Sequence, residues 1–420
     1  MVLILDTDPG IDDMLALMLL LTTDVADTEL RMISLTYGNC SLADTLRNVL
    51  SLFHIVQKEN EWRKKANLSP FTNQRPIIHL GSSSALPTDN SRKFETTETL
   101  QDALNDTNEV NATDVHGSDG LAGIHSTNPE YDSDPEWFKL FYSDSKPTDD
   151  PNLPFKAGGN IPAWEAILDV LRSEPEDTVT IASIGPLTNL AKVAEADPVA
   201  FSKVKRVLSM GGALRTCGNV TPMAEFNVLA DPLAAARVYA LTSKNPEVTL
   251  PTGSPESLLK LPRPLKLTIF PLDITNQHTA KLADVHEILG AFIEAYPDCV
   301  LAKWVKVWYS NSFANYGKLV GLGADNANCE LHDPVTAAYA INMFPNEWSL
   351  HREDFRVEHS GQWCMGKTVV DDRGRARSEN NEHDIQKWLT VGEGNNVDIV
   401  DETPFVKTLS HILLERITKL

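Results

Sequence analysis

The chain has 420 residues, 58 of them acidic and 37 basic, for a formal net charge of -21. That balance argues against a nucleic-acid partner, because phosphate-backbone binding relies on Lys and Arg displacing counterions. Five cysteines without CxxC spacing suggest neither a disulfide framework nor a zinc site. No basic leader precedes the first apolar run, and no apolar run approaches the roughly 20 residues of a membrane span, so a cytoplasmic protein without a membrane partner is expected.

Along the chain, short apolar or β-branched runs alternate with longer periodic segments, the pattern of βαβ units around a mostly parallel sheet. Strands are predicted at 2–5, 30–35, 77–80, 178–183, 204–209 and 265–270. Helices are predicted at 12–21, 41–57, 160–172, 186–196, 231–241, 279–295, 299–316 and 333–343. The expected architecture is α/β, with a single open, mostly parallel central sheet flanked by helices. Three polar stretches, 58–75, 126–156 and 371–396, read as surface insertions in one domain spanning 1–420. The chain ends in an apolar-periodic helix, "FVKTLSHILLERI", whose role is packing.

The densest chemistry lies at the first strand-to-helix turn, "DTDPGIDD", where Asp6, Asp8, Asp12 and Asp13 crowd together. Open α/β sheets bind ligands at the carboxyl edge of their strands, which is where this turn falls. Helix capping accounts for one or two acids at such a place. It gives no reason for Asp6 and Asp8 as well. A hard cation does, because calcium takes about six to eight oxygen ligands and shared carboxylates offset their own repulsion. An EF-hand loop counted from Asp6 would need Glu at its twelfth position, where Leu17 stands. Two chemistries stay open on these residues: a DxD phosphatase with an aspartyl nucleophile, or a metal hydrolase in which an Asp deprotonates water.

Other segments bear on that choice. "HDPVTAAYAI" places His332 beside Asp333 at a predicted helix start, and "GNVTPMAEFNVLADP" places Glu225 and Asn227 one residue apart in a stretch read as extended. A carboxylate and an amide together suit sugar hydroxyls. Phosphate would call for Lys, Arg or a glycine-rich cradle, and none accompanies these acids. Trp308, Tyr309, Phe313 and Tyr316, at helical spacing, are candidates for stacking on a base or for the core, the core being favoured.

With these segments in view the sequence resembles the inosine-uridine-preferring nucleoside hydrolase family. "DTDPGIDD", "TYGNCSLADTLRN", "VHGSDGLAG", "SIGPLTNLA", "MGGALRTCGNVTPMAEFNVLADP" and "ELHDPVTA" follow in the family's order across about residues 2 to 345. The resemblance implies hydrolysis of ribonucleosides to base and ribose. It implies a calcium ion held by Asp8, Asp13, the Thr188 backbone carbonyl and Asp333, with Asp8 as general base on the water that ion holds. Ribose would be contacted by Asp12, Asn39, Asn219, Glu225, Asn227 and Asp333. His332 would protonate the leaving base, and His116 would be a second pocket histidine. The family also implies a homodimer or homotetramer. Two departures from its pattern, Ser118 where an acid is usual and Asn276 where a His is common, bear on base preference. The rivals are a non-catalytic nucleoside or ribose sensor on the same pocket and the phosphatase.

Overall fold

In the computed structural model, which describes residues 1–87, 112–379, 383–405 and 408–420, strand β1 (Val2–Thr7) lies mid-sheet. Its alternation explains the layers: Leu3 and Leu5 pack into one apolar cluster and Ile4 into the other. Parallel neighbours flank it on both sides, β2 (Glu29–Leu35) and β5 (Val179–Ser183). Beyond β2 come β3 (Ile77–Leu80) and the two-residue β4 (Lys156–Ala157); beyond β5 come β6 (Arg206–Met210) and β7 (Leu267–Phe270). All these pairs are parallel, so every strand end that carries a motif opens at the same edge.

Helices α1 (Ile11–Leu21) and α2 (Leu42–Lys65) pack on one face of the sheet. α3 (Ala163–Ser173), α4 (Thr188–Ala196) and, past the short α5 (Phe226–Ala230), α6 (Pro232–Ala240) pack on the other. Every residue of α1 is buried, which is why its sequence shows an unbroken apolar run instead of an amphipathic one. A small two-stranded antiparallel sheet pairs β8 (Thr279–Lys281) with β9 (Asn328–Glu330), and between its strands run α7 (Leu282–Ala295) and α8 (Leu301–Leu319). α9 (His332–Ala340) follows and lies against α1.

The six predicted strands are present within two residues at each end. The sequence reading missed the far edge of the sheet. There β10 (Ser349–Glu353) pairs antiparallel with β13 (Val397–Glu402), which in turn pairs parallel with β7, and a hairpin of β11 (Phe355–Val357) and β12 (Thr368–Val370) stands beside them. β10 reads "SLHRE", with its middle residues exposed, so it lacks the apolar run that marks a buried parallel strand. The terminal helix, α10, is shorter than expected, Leu409–Thr418, and packs its apolar side into the α1 face.

The stretch 58–75 needs correction as a surface insertion. Its first half continues α2 to Lys65, and within it Glu59 and Arg63 are each only 1 % exposed. Arg63 Nε donates to Glu59 Oε1 at 2.9 Å, while Glu59 Oε2 accepts from the Val300 and Leu301 backbone N–H groups at the start of α8. Segment 126–156 likewise sends Phe141 and Phe155 into the core, where their rings lie 6.5 Å apart. Part of 371–396, residues 380–382, lies outside the described residues. Removing one partner from a buried ion pair strands the other, at about 3 to 5 kcal/mol. Glu59→Ala is therefore expected to lower stability by about 3 kcal/mol in urea unfolding, because Arg63 and two α8 N–H groups lose their acceptor together.

Candidate active site

The four aspartates of the first turn do different things. Asp6, at the end of β1, is fully buried and accepts hydrogen bonds from Ser34 Oγ (2.6 Å), Ser183 Oγ (2.9 Å) and Asn189 Nδ2 (2.8 Å), so it knits β1 to β2 and to the β5–α4 connection. Burial raises its pKa to about 6 against the pull of those donors. Asp13 turns back over the start of α1, accepting from Thr7 Oγ1 (2.6 Å), Gly10 N (3.0 Å) and Asn39 Nδ2 (2.8 Å). Asn39 also gives its backbone N–H to Asp8 Oδ2 at 2.8 Å. One asparagine thus spans two of the acids.

Asp8 is fully buried, and its second oxygen, Oδ1, has no hydrogen-bond partner among the described residues. Two glycines make room for it. A Cβ on Gly38 would stand 2.0 Å from Asp8 Oδ2, and one on Gly185 would stand 2.4 Å from Asp8 Oδ1. Asp12, Asp13 and Asp333 each bring a carboxylate oxygen to within 4.8 Å of the others'. Burial first, then mutual repulsion, pushes the Asp8 and Asp333 carboxyls well above the usual range, and burial pushes Asp12 and Asp13 upward too. Acids arranged so are short of positive charge.

A cavity of about 430 Å³ opens above this cluster at the carboxyl edge of the sheet. Asp12, Asn39, His116, Asn219, Glu225, Asn227, His332 and Asp333 all line it. Asp8, Asp13 and Thr188 do not; they lie buried beneath, with Thr188 Oγ1 donating to Asp231 Oδ2 at 2.8 Å. Glu225 and Asn227 meet at the cavity for a reason other than the one expected. Glu225 does have an extended backbone, but Asn227 lies in α5, which Glu225 caps, accepting from Asn227 N (2.8 Å), Val228 N (3.0 Å) and Gly212 N (2.9 Å). Gly212 presents its N–H from a φ of +87°, a conformation that favours glycine. Asn227 Nδ2 donates to the Ile184 carbonyl at 3.1 Å, so its amide bridges the ends of β5 and α5.

The two histidines differ. His116 Nδ1 accepts the Ile11 backbone N–H at 2.9 Å, and burial lowers its pKa to about 3, so it is a neutral clasp between the one-turn helix Thr113–His116 and the start of α1. His332 is held through Nδ1 by Thr275 Oγ1 at 2.8 Å, and its pKa is lowered by burial and raised again by nearby Glu330. Of the four aromatics, Trp308, Tyr309 and Phe313 are buried in the core and only Tyr316 lines the cavity. Sequence reasoning passed over Asn189, Thr275 and Glu330. Asn189 and Glu330 sat inside quoted segments, "PLTN" and "ELHD", yet only contact geometry gives them work.

A family model for the inosine-uridine preferring nucleoside hydrolases matches residues 3–402. The chain belongs to that family. It is a nucleoside hydrolase, and its central sheet is the family's. The non-specific ribonucleoside hydrolase RihC of Salmonella newport is 30% identical over 373 residues, covering 89% of this chain and 88% of its own. A plant nucleoside hydrolase, PpNRh1, superposes with a TM-score of 0.65 at 23% identity, covering 100% of this chain and 99% of its own. A purine-preferring ribonucleoside hydrolase from Gardnerella vaginalis gives 0.64 at 20%, over 100% and 98%. A misplacement of about 1 Å within an active site costs up to ~100-fold in rate. Gly185→Ala, which drives a methyl group against Asp8 Oδ1, is accordingly expected to lower nucleoside kcat/KM by about that factor while circular dichroism stays that of the wild type.

Proposed function

We propose that this nucleoside hydrolase splits the N-glycosidic bond of ribonucleosides with the help of calcium, using Asp8 as general base and His332 as acid. The observation that carries the reading is the buried, unpartnered Asp8 Oδ1 set beside a cluster of crowded carboxylates. An anionic oxygen without a donor is costly in the protein interior, and a cation removes that cost. The donor set is all oxygen, which suits calcium: Asp8, Asp13 and Asp333, with the Thr188 backbone carbonyl. When bound, such an ion supplies positive charge that orients the 2' and 3' hydroxyls of ribose and acidifies a water.

The remaining work falls to the chain. Asp12, Asn39, Asn219, Glu225, Asn227 and Asp333 hold the ribose hydroxyls, the carboxylates accepting and the amides donating. As the bond to the base lengthens, the sugar ring gains positive charge, which the same ring of carboxylates stabilises. Asp8 takes the proton from the attacking water. His332, its Nδ1 engaged by Thr275, keeps Nε2 for the departing base. One displacement inverts the anomeric carbon and needs no covalent intermediate, so the cysteines take no part. Among the described residues no lysine or arginine lines the cavity, which speaks against a phosphoester substrate.

Incubating the purified protein with a panel of ribonucleosides, with and without a chelator, and quantifying free base and ribose checks the reading. Base release that the chelator abolishes and calcium restores is expected; absence of release from every nucleoside at high enzyme concentration overturns it. Asp8→Ala is expected to abolish turnover, while Asp6→Ala retains a measurable rate because Asp6 braces the loop without reaching the cavity. Equal loss in both would contradict that division. Calcium at about 100 times its Kd is expected to raise Tm by about 3 °C for a chain of this size, read by calorimetry.

A further inference from the structure

Part of the cavity wall is built by residues outside the sugar-binding set. Ser312 and Tyr316 come from α8, Cys329 and Glu330 from β9, and Asn276 from the turn after the short helix Leu272–Thr275. On the nucleoside-hydrolase reading above, ribose occupies the Asp12, Asn227 and Asp333 side, which leaves this wall to the base.

Glu330 is its one acid. It is half-buried, pinned in register by the pairing of β9 with β8, where it stands opposite Thr279. Tyr316 Oη donates to Glu330 Oε1 at 2.6 Å. Burial and that bond hold the Tyr316 phenol above its ordinary range, so it remains a donor. A carboxylate has about four acceptor sites, and the Tyr316 bond uses one. Among the described residues lining the cavity there is no lysine or arginine to occupy the others. Glu330 therefore faces the base as an oriented anion that can only accept.

We propose that Glu330, oriented by Tyr316, is the residue that determines nucleobase specificity, and that it selects guanine. Guanine presents two adjacent donors on one edge, N1–H and the 2-amino group, which match the two oxygens of a carboxylate. Hypoxanthine offers one N–H beside a carbonyl oxygen. In uracil the single N–H lies between two carbonyl oxygens that a carboxylate repels. Adenine and cytosine set their amino group next to a ring-nitrogen acceptor. A site built to bond a given donor rejects an analogue that lacks it more strongly than an apolar pocket can.

The test is steady-state kinetics with guanosine, inosine and uridine on the calcium-loaded wild type, Glu330→Gln and Tyr316→Phe. For the wild type, kcat/KM for guanosine is expected to exceed that for inosine by ~10-fold or more, the worth of one hydrogen bond to a charged group. Glu330→Gln turns a donor toward the base and is expected to bring the ratio to within about threefold of one. Tyr316→Phe, which frees the carboxylate to turn, is expected to lower the ratio by less. Damage to the fold would depress both substrates together and leave their ratio alone. A wild-type ratio near or below one, or a ratio unchanged in Glu330→Gln, overturns the inference. Those outcomes require base release, so they stay distinct from release of no base at all, which would overturn the nucleoside-hydrolase reading as well.

Discussion

The cost of placing anionic oxygens inside a protein governs this structure. At the carboxyl edge of the central strands, Asp6, Asp8, Asp13 and Asp333 are all withdrawn from solvent, and every nearby device addresses that cost. Asp6 is answered by two hydroxyls and an amide, and Asp13 by a hydroxyl, a backbone N–H and Asn39. Asp8 is answered on one oxygen only. The unmet need at that atom is what makes the turn a place for a cation, whereas a fully satisfied cluster would have been a structural knot.

That constraint explains the glycines and the clasps around it. Gly38 and Gly185 keep side chains away from Asp8, and His116 reaches from a one-turn helix to hold the Ile11 N–H that opens α1. Asn48 of α2 adds a further tie, donating to the carbonyls of Pro9 (2.8 Å) and Asp119 (2.9 Å), with His125 Nε2 on its oxygen at 2.6 Å. Rigid surroundings of this kind are what hold a charged site in one geometry, since crowded acids otherwise spread apart.

Much of this was legible in the residues. The alternation of apolar runs located the parallel strands because strands buried on both faces are written in continuous Val, Ile and Leu. The residues that the order of the motifs put forward for ribose all line one cavity. What escaped has physical reasons. β10 carries polar residues on an exposed edge, and in β13, "VDIVDE", acids interrupt the apolar run, so both lack the buried-strand signature. Glu59 and Arg63 read as solvated charges because nothing local reveals that α8 begins against them. Asn227 could be taken for extended chain because the helix that holds it is only five residues long and Glu225 before it is extended. Tyr316 could not be told from its buried neighbours on α8, since helical spacing alone does not say where a cavity begins.

The position of β13 in the sheet has a consequence for how the protein is made. It is the last strand in the sequence, yet it lies between β10 and β7. The parallel body from β1 to β7, with the aspartate turn at its edge, can form while β7 still has no neighbour on its outer side. An unpaired strand edge is a template for association with other chains. At ordinary synthesis rates of about 5 to 20 residues per second, the interval between the emergence of Phe270 and that of Val397 lasts roughly 6 to 25 s. The nascent chain is therefore most exposed to self-association late in translation, after the parallel body is complete and before its last strand arrives.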